Sequence, residues 1–230
     1  MNTIFRLQQI KKTYSDKSYL INVLDDLDFE INKADMIAIT GKSGSGKSTL
    51  LHIMGLLDSP DSGKIYFHDR EISAKDKNVE AFRNSHIGFV FQFHYLLADF
   101  TALENVALPL VIAGKSFSKA KQKAIELLNA LGLSERIGHY PNQLSGGEQQ
   151  RVSIARAIIN DPEIIIADEP TGNLDKTHAD EILNIFKSIN KEKQQTLILA
   201  THDMEIANNM KVHFHLDNST HKLVQANTNP

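Results

Sequence analysis

The chain has no cysteine. It therefore forms no disulfide, offers no thiolate nucleophile and builds no cysteine-based zinc site, a composition that fits a reducing compartment. It also lacks a strong charge of either sign: the formal net charge is -3 and the sequence pI about 6.4. Nothing in that balance points to general binding of nucleic-acid phosphates. Long apolar runs are missing too. The longest apolar-rich stretch, Val106 to Ala113, is interrupted by Pro109, whereas a membrane span needs about 20 apolar residues. If the protein works at a membrane, another chain supplies the spans. Met1 to Arg6 shows no basic region followed by an apolar stretch, so no secretion signal is expected. Internal repeats and low-complexity segments are absent.

What remains is 230 residues with 41% hydrophobic content, enough for one α/β domain or a domain with a subdomain. Thr3–Gln9 and Asn22–Ile31 read as strands, the second alternating cleanly from Leu27 onward. Met36–Thr40 is a short apolar strand, Lys47–Leu57 a helix, and Asp58–Gly63 a turn before a strand at Ile65–Phe67. Ile87–Phe91 is another strand. From Phe93 to about Ile159 the pattern is helical, including an amphipathic helix over Ser118–Leu131. A strand (Ile164–Ala167), a helix (Thr177–Asn190), a strand (Thr196–Ala200) and a short helix from Met204 follow. Apolar strands alternating with amphipathic helices imply an α/β fold with a mainly parallel sheet.

Gly41-Lys42-Ser43-Gly44-Ser45-Gly46-Lys47-Ser48 follows one of those strands and opens a helix. Glycines at these spacings let backbone N–H groups curl around a β-phosphate. Lys47 supplies a point charge for the β- and γ-phosphates, the Ser48 hydroxyl can ligate Mg²⁺, and Thr49 can bond the α-phosphate. Ile164–Ala167 ends in Asp168 and Glu169. Asp168 stands where such proteins hold a Mg²⁺ carboxylate, and Glu169 can point at the water attacking the γ-phosphate. Gln92 and His202 also sit at or just beyond the C-terminal ends of strands, where α/β sheets bind ligands; neither residue type is informative alone.

Leu144-Ser145-Gly146-Gly147-Glu148-Gln149-Gln150 carries a capping box, Ser145 with Glu148, in front of a helical run to Asn160. Two glycines at the positive end of a helix are costly unless something must approach closely, and a helix N-terminus attracts phosphate.

In order and spacing these motifs resemble the ATP-binding cassette (ABC) ATPases over nearly the whole chain. The resemblance implies a P-loop core of mainly parallel sheet with an antiparallel β subdomain (1–91 and 160–224), an inserted helical subdomain (92–159) and a polar tail (225–230). It implies ATP as ligand, with Mg²⁺ held by Ser48, Gln92 and Asp168. It makes Tyr14 the ring stacked on adenine, Gln92 the residue linking metal and water to the transporter, Glu169 the base, Asp175 a dimer contact, and His202 a γ-phosphate contact. It also implies that two copies pair head-to-tail. Ser145, Gly146, Gly147 and Glu148 of one then close over the ATP held by Gly41–Thr49 of the other.

Gln92-Phe93-His94-Tyr95-Leu96-Leu97-Ala98-Asp99-Phe100 follows the strand where these ATPases grip a membrane partner, and its run of aromatics and leucines divides between surface and core. This segment, with Asp168–Asp175, resembles the ATPases of lipoprotein-releasing transporters. That implies LolC/LolE-like membrane subunits as partners, a peripheral place on the cytoplasmic face of an inner membrane, and only indirect dealings with the lipoprotein. Thr101–Val106 is shared with ATPases of macrolide exporters, antibiotic-peptide pumps and the cell-division complex, which stay open as alternatives, as does, more remotely, a soluble non-transport ABC ATPase. Ala34 and Asn218 stand where such proteins commonly have glycine.

Overall fold

The computed structural model describes residues 2–16 and 19–226. In chain order the elements are β1 (Thr3–Asp16), β2 (Tyr19–Asn32), β3 (Met36–Thr40), α1 (Lys47–Met54), β4 (Ser62–Phe67), β5 (Arg70–Ile72), α2 (Val79–His86), β6 (Ile87–Phe91), α3 (Ala102–Ile112) and α4 (Phe117–Ala130). There follow α5 (Gly146–Ile158), β7 (Ile164–Asp168), α6 (Lys176–Lys193), β8 (Thr196–Ala200), α7 (Met204–Ala207), β9 (Val212–Leu216) and β10 (Leu223–Gln225). They form two compact units, one of residues 1–79 and 196–230, the other of Glu80–Gln195.

The first unit holds an antiparallel sheet in the order β2-β1-β4-β5 and a second set of strands in the order β10-β9-β3-β8. In the latter, β3 runs parallel to both β8 and β9. β3 and β8 are buried at every residue, which is why their sequences are continuous apolar runs without alternation. β2 does alternate: Leu27, Phe29 and Ile31 face the core while Asp28 and Glu30 face solvent.

In the second unit β6 runs parallel to β7. Helices α3, α4 and α5 pack around Ala102, Val106, Ala124, Leu128, Val152 and Ala155, all fully buried. Ala102, Ala107, Ala120, Ala124 and Ala155 are small residues in this core, each fully buried. Pro109 lies inside α3 and denies one helical hydrogen bond. Nearby, the fully buried Asn105 side chain donates to the carbonyls of Leu97, Phe100 and Thr101 and accepts from the Leu97 amide.

The expected α/β class, parallel sheet and antiparallel subdomain are present. Several boundaries differ. α1 stops at Met54 rather than Leu57, because Gly55 caps it and Leu56 turns left-handed at φ 56°. Residues 93–101 are not helical; Thr101 caps α3 through a capping box with Glu104. The short elements α2, β5, β9 and β10 are additional to those expected. Gln225, placed in a polar tail, belongs to β10, while residues 227–230 lie outside the described residues.

The two departures from glycine resolve differently. Asn218 is not left-handed; Asp217 instead builds the turn, its Oδ1 accepting from the Ser219 and Thr220 amides and hydroxyls. Ala34 is left-handed at φ 62°, with its amide donating to Thr196 Oγ1 3.1 Å away. An alanine there carries a Cβ penalty of ~1 kcal/mol. Ala34→Gly is therefore expected to raise the melting temperature by about 2–4 °C, measured by calorimetry; an unchanged or lower value would show that the turn is not strained.

Candidate nucleotide site and signature helix

In the first unit, β3 delivers the chain directly into the glycine loop. Gly41 and Gly46 cannot carry a side chain here: a Cβ at Gly41 would lie 2.6 Å from Ser45 Oγ, and one at Gly46, at φ 99°, 2.5 Å from a Val23 methyl. α1 starts at Gly46 with no side-chain cap and no acid in its first turn, so its first N–H groups are left for an anion. Lys47 is buried, its ammonium donating to the carbonyls of Gly41 at 2.9 Å and Lys42 at 3.2 Å. That leaves one of its three protons for a ligand. Lys42, Ser43, Gly44 and Ser48 are exposed around it, and Ser45 Oγ is buried without a hydrogen-bond partner. A triphosphate fits such a cradle. β3 and β8 pair in register at Ile39 and Ala200, and the Thr201 amide donates to Ile39 O. His202 thus emerges beside the start of the loop. Tyr14, near the end of β1, is part-exposed and donates its hydroxyl to Asp58.

The second unit gathers the remaining predicted residues. Phe91 and Asp168 are register partners, so Gln92 and Glu169 leave neighbouring strands side by side. Glu169 is left-handed at φ 46°, which turns the chain sharply at the strand end. Gly172 closes that turn, its amide donating to Glu169 O. A Cβ on Gly172 would lie 2.9 Å from Gln92 Nε2. Gln92 and Asn173 bond each other twice, side chain to side chain at 3.4 Å and Asn173 Nδ2 to Gln92 O at 3.2 Å.

The capping box read from the sequence is present: Ser145 Oγ accepts from the Glu148 amide, and Glu148 accepts from the Ser145 amide at 2.8 Å. Burial favours the neutral acid, but the bond from the Ser145 amide and a 2.8 Å contact with Arg136 outweigh it and hold the Glu148 carboxyl below its usual range. Ser145 and Gly146 are exposed, so the positive end of α5 faces outward. Gly147 is buried under His178, whose ring carbon would lie 2.9 Å from any Cβ there. His178 is itself held by Asp175, which accepts from its amide at 3.0 Å and meets its Nδ1 at 2.7 Å. Those bonds from His178 depress the Asp175 carboxyl.

Two residues of α5 had gone unread. Gln150, fully buried, donates to Pro170 O at 2.7 Å, next to Glu169. Arg156 donates to Tyr95 O at 2.7 Å and His94 O at 2.6 Å. Both His94 and Tyr95 are left-handed, so this pair of bonds fixes an otherwise unfavourable loop. Burial, with the Arg156 charge adding, keeps His94 neutral by lowering its pKa. The run after Gln92 was expected to divide between surface and core. Phe93, Tyr95, Leu97 and Phe100 are exposed, and only Leu96 packs against the helical core.

The family model of ABC transporters matches residues 24–172. The chain belongs to the ABC transporter family. It is 50% identical over 208 residues to the lipoprotein-releasing system ATP-binding protein LolD of Cytophaga hutchinsonii, covering 90% of this chain and 93% of that one. The LolD proteins of Treponema denticola and Idiomarina loihiensis are 48% and 46% identical over 93% and 91% of this chain, and over 95% and 92% of theirs. Among solved structures, the ATP-binding cassette MJ0796, as a dimer in a post-hydrolysis state bound to ADP and Pi, superposes with a TM-score of 0.90 at 36% identity, covering 99% of this chain and all of that one.

Removing the Arg156 guanidinium takes the donor from two carbonyls, one exposed and one part-buried, at about 1 kcal/mol each. Arg156→Met is expected to leave the circular dichroism unchanged while amide exchange over residues 93–97 rises by at least about tenfold. Unchanged exchange would mean the loop holds itself.

Proposed function

We propose that the chain is the ATP-hydrolysing subunit of a lipoprotein-releasing transporter, working as a head-to-tail pair of copies. The observation that carries the mechanism is the outward-facing, capped N-terminus of α5 at Ser145 and Gly146, set beside a buried Gly147. The capping box takes up one N–H there, but Arg136 offsets the Glu148 charge at 2.8 Å, so the exposed end can still receive an anion; the chain has its own phosphate loop at Gly41–Thr49. The site formed by Ser145, Gly146, Gly147 and Glu148 therefore serves the nucleotide of a second copy, making ATP part of a two-fold interface.

Each residue then has one task. Lys47 and the loop amides bind the β- and γ-phosphates, Thr49 the α-phosphate, and Tyr14 stacks on the base. Glu169, aimed by the left-handed turn and by the Gln150 hold on Pro170, takes the proton of the attacking water as it adds to the γ-phosphorus. The ADP oxygen leaves with the electron pair of the broken bond. His202 donates to the γ-phosphate, and Asp175 contacts the partner copy. When bound, Mg²⁺ would supply charge neutralisation for the phosphate oxygens. Ser48, Gln92 and Asp168 would hold it, a donor set with a single carboxylate that suits an ion keeping several waters.

Phe93, Tyr95, Leu97 and Phe100 are exposed on one loop, and Tyr95 lines a groove of about 480 Å³ together with Phe89, Phe91, Ile112 and Arg156. This is the seat for LolC/LolE-like membrane subunits. No helix among the described residues is long and apolar enough to cross a membrane. The chain acts from the cytoplasmic face as a peripheral subunit. Drawing acyl chains from a bilayer costs ~0.8 kcal/mol per CH₂, and ATP-driven closure supplies that work through the groove. The lipoprotein touches only the membrane subunits.

Glu169→Gln should bind ATP, lose hydrolysis by a factor of about 10²–10⁴, and accumulate as a dimer in ATP and Mg²⁺. Gel filtration with light scattering reads the state; a variant that stays monomeric at saturating ATP contradicts the paired arrangement.

A further inference from the structure

Tyr14 is held by a network that no phosphate-binding motif includes. Its hydroxyl donates to Asp58 Oδ2 at 2.9 Å. Asp58 is fixed in turn: Lys12 Nζ lies 2.9 Å from each carboxylate oxygen, and the Ser59 amide donates to Oδ1 at 2.7 Å. Lys12 is 8% exposed, donates also to Ser59 O at 2.7 Å, and places its ammonium 5.1 Å from the centre of the Tyr14 ring. The strand and the Asp58–Asp61 turn are joined further along. The Thr13 amide donates to Asp61 Oδ2 and the Asp61 amide to Lys11 O. The Asp58 amide itself reaches back to His52 O at the end of α1. The aromatic ring is thereby tied to the same helix that opens with Lys47, Ser48 and Thr49.

Thr49 adds a second tie, its side chain hydrogen-bonding the Tyr14 hydroxyl. A threonine hydroxyl has one proton. If Thr49 turns that proton to an α-phosphate, its donation to Tyr14 ends, and Asp58 still anchors the phenol. Lys12 covers the ring from one side and makes Asp58 a carboxylate at working pH. Burial opposes this but is outweighed by the bonds from Lys12, Tyr14 and Ser59, which lower its pKa. With 42% of Tyr14 exposed, the ring is preset rather than collapsed.

We infer that Asp58, locked by Lys12, is a positioning residue for nucleotide binding: it holds the Tyr14 ring in the orientation that receives the base. The inference rests on the reading of Tyr14 as the base-stacking residue. Preorganising an aromatic side chain improves affinity by removing the ordering cost at binding. The effect falls on the base and leaves the phosphates alone.

Calorimetric titration of ATP and of inorganic triphosphate separates these contributions in the full-length protein, with circular dichroism checking the fold. Tyr14→Ala is expected to weaken ATP by about 5- to 100-fold, the range for loss of a base stack. Tyr14→Phe removes only the hydroxyl and leaves the Lys12–Asp58 pair intact; Asp58→Ala removes the anchor. Each is expected to weaken ATP by about 3- to 10-fold without changing triphosphate affinity, and the double variant should be no worse than the weaker single one. If Tyr14→Ala weakens ATP while Tyr14→Phe and a folded Asp58→Ala bind like the unaltered protein, the positioning role is wrong. Equal loss of ATP and triphosphate would also overturn it. If Tyr14→Ala itself binds ATP normally, the base-stacking reading fails, and the positioning role falls with it.

Discussion

The second unit depends on helix α5 being held at three levels along its length. Its first turn is closed by Ser145 and Glu148, its middle grips Pro170 through the buried Gln150 amide, and its last turn grips His94 and Tyr95 through Arg156. A net hydrogen bond contributes ~1 kcal/mol, but leaving a buried partner unsatisfied costs ~1–3 kcal/mol. The helix therefore cannot shift along its axis without breaking polar contacts at two other places. Those places are the turn that aims Glu169 and the exposed aromatic loop after Gln92. In the proposed pairing, this rod, joined at three points, links a phosphate at Ser145 to the exposed loop after Gln92.

The first unit solves a different problem. Its loop must surround phosphate with backbone N–H groups, so bulk is excluded at Gly41 and Gly46, and the helix behind is left without a side-chain cap or an early acid. Lys47 bonds the loop carbonyls of Gly41 and Lys42. A bound triphosphate would satisfy the same N–H groups and take over the lysine. Binding energy and local order are thus supplied by one set of atoms.

Much of this was legible in the chain because the informative residues are local. The glycine spacing before Lys47, the apolar run ending at Asp168 and Glu169, and the Ser145–Glu148 box are short-range patterns, and each appears where its sequence placed it. The contacts that make the site rigid were not legible. Gln150 meets Pro170, Arg156 meets residues 94 and 95, and Asp58 meets Lys12 across 46 positions; no periodicity reports such pairings. The loop at 93–101 was read as helix because its apolar content suits one. The left-handed turns at His94 and Tyr95 and the buried Asn105 side chain hold it open instead. Ala34 is the opposite case, a residue whose departure from glycine marked a left-handed turn that the structure contains.

The central claim is that Ser145 of one copy works on the nucleotide held by the glycine loop of another. The absence of cysteine makes this directly measurable. Two single-cysteine variants, Ser43→Cys and Ser145→Cys, each in the Glu169→Gln background, are mixed in equal amounts and treated with a short bis-maleimide, with and without ATP and Mg²⁺. The account predicts a covalent heterodimer that forms only in the mixture and only with ATP. Cross-linking of either variant with itself at similar yield, or a mixed product indifferent to ATP, would contradict it.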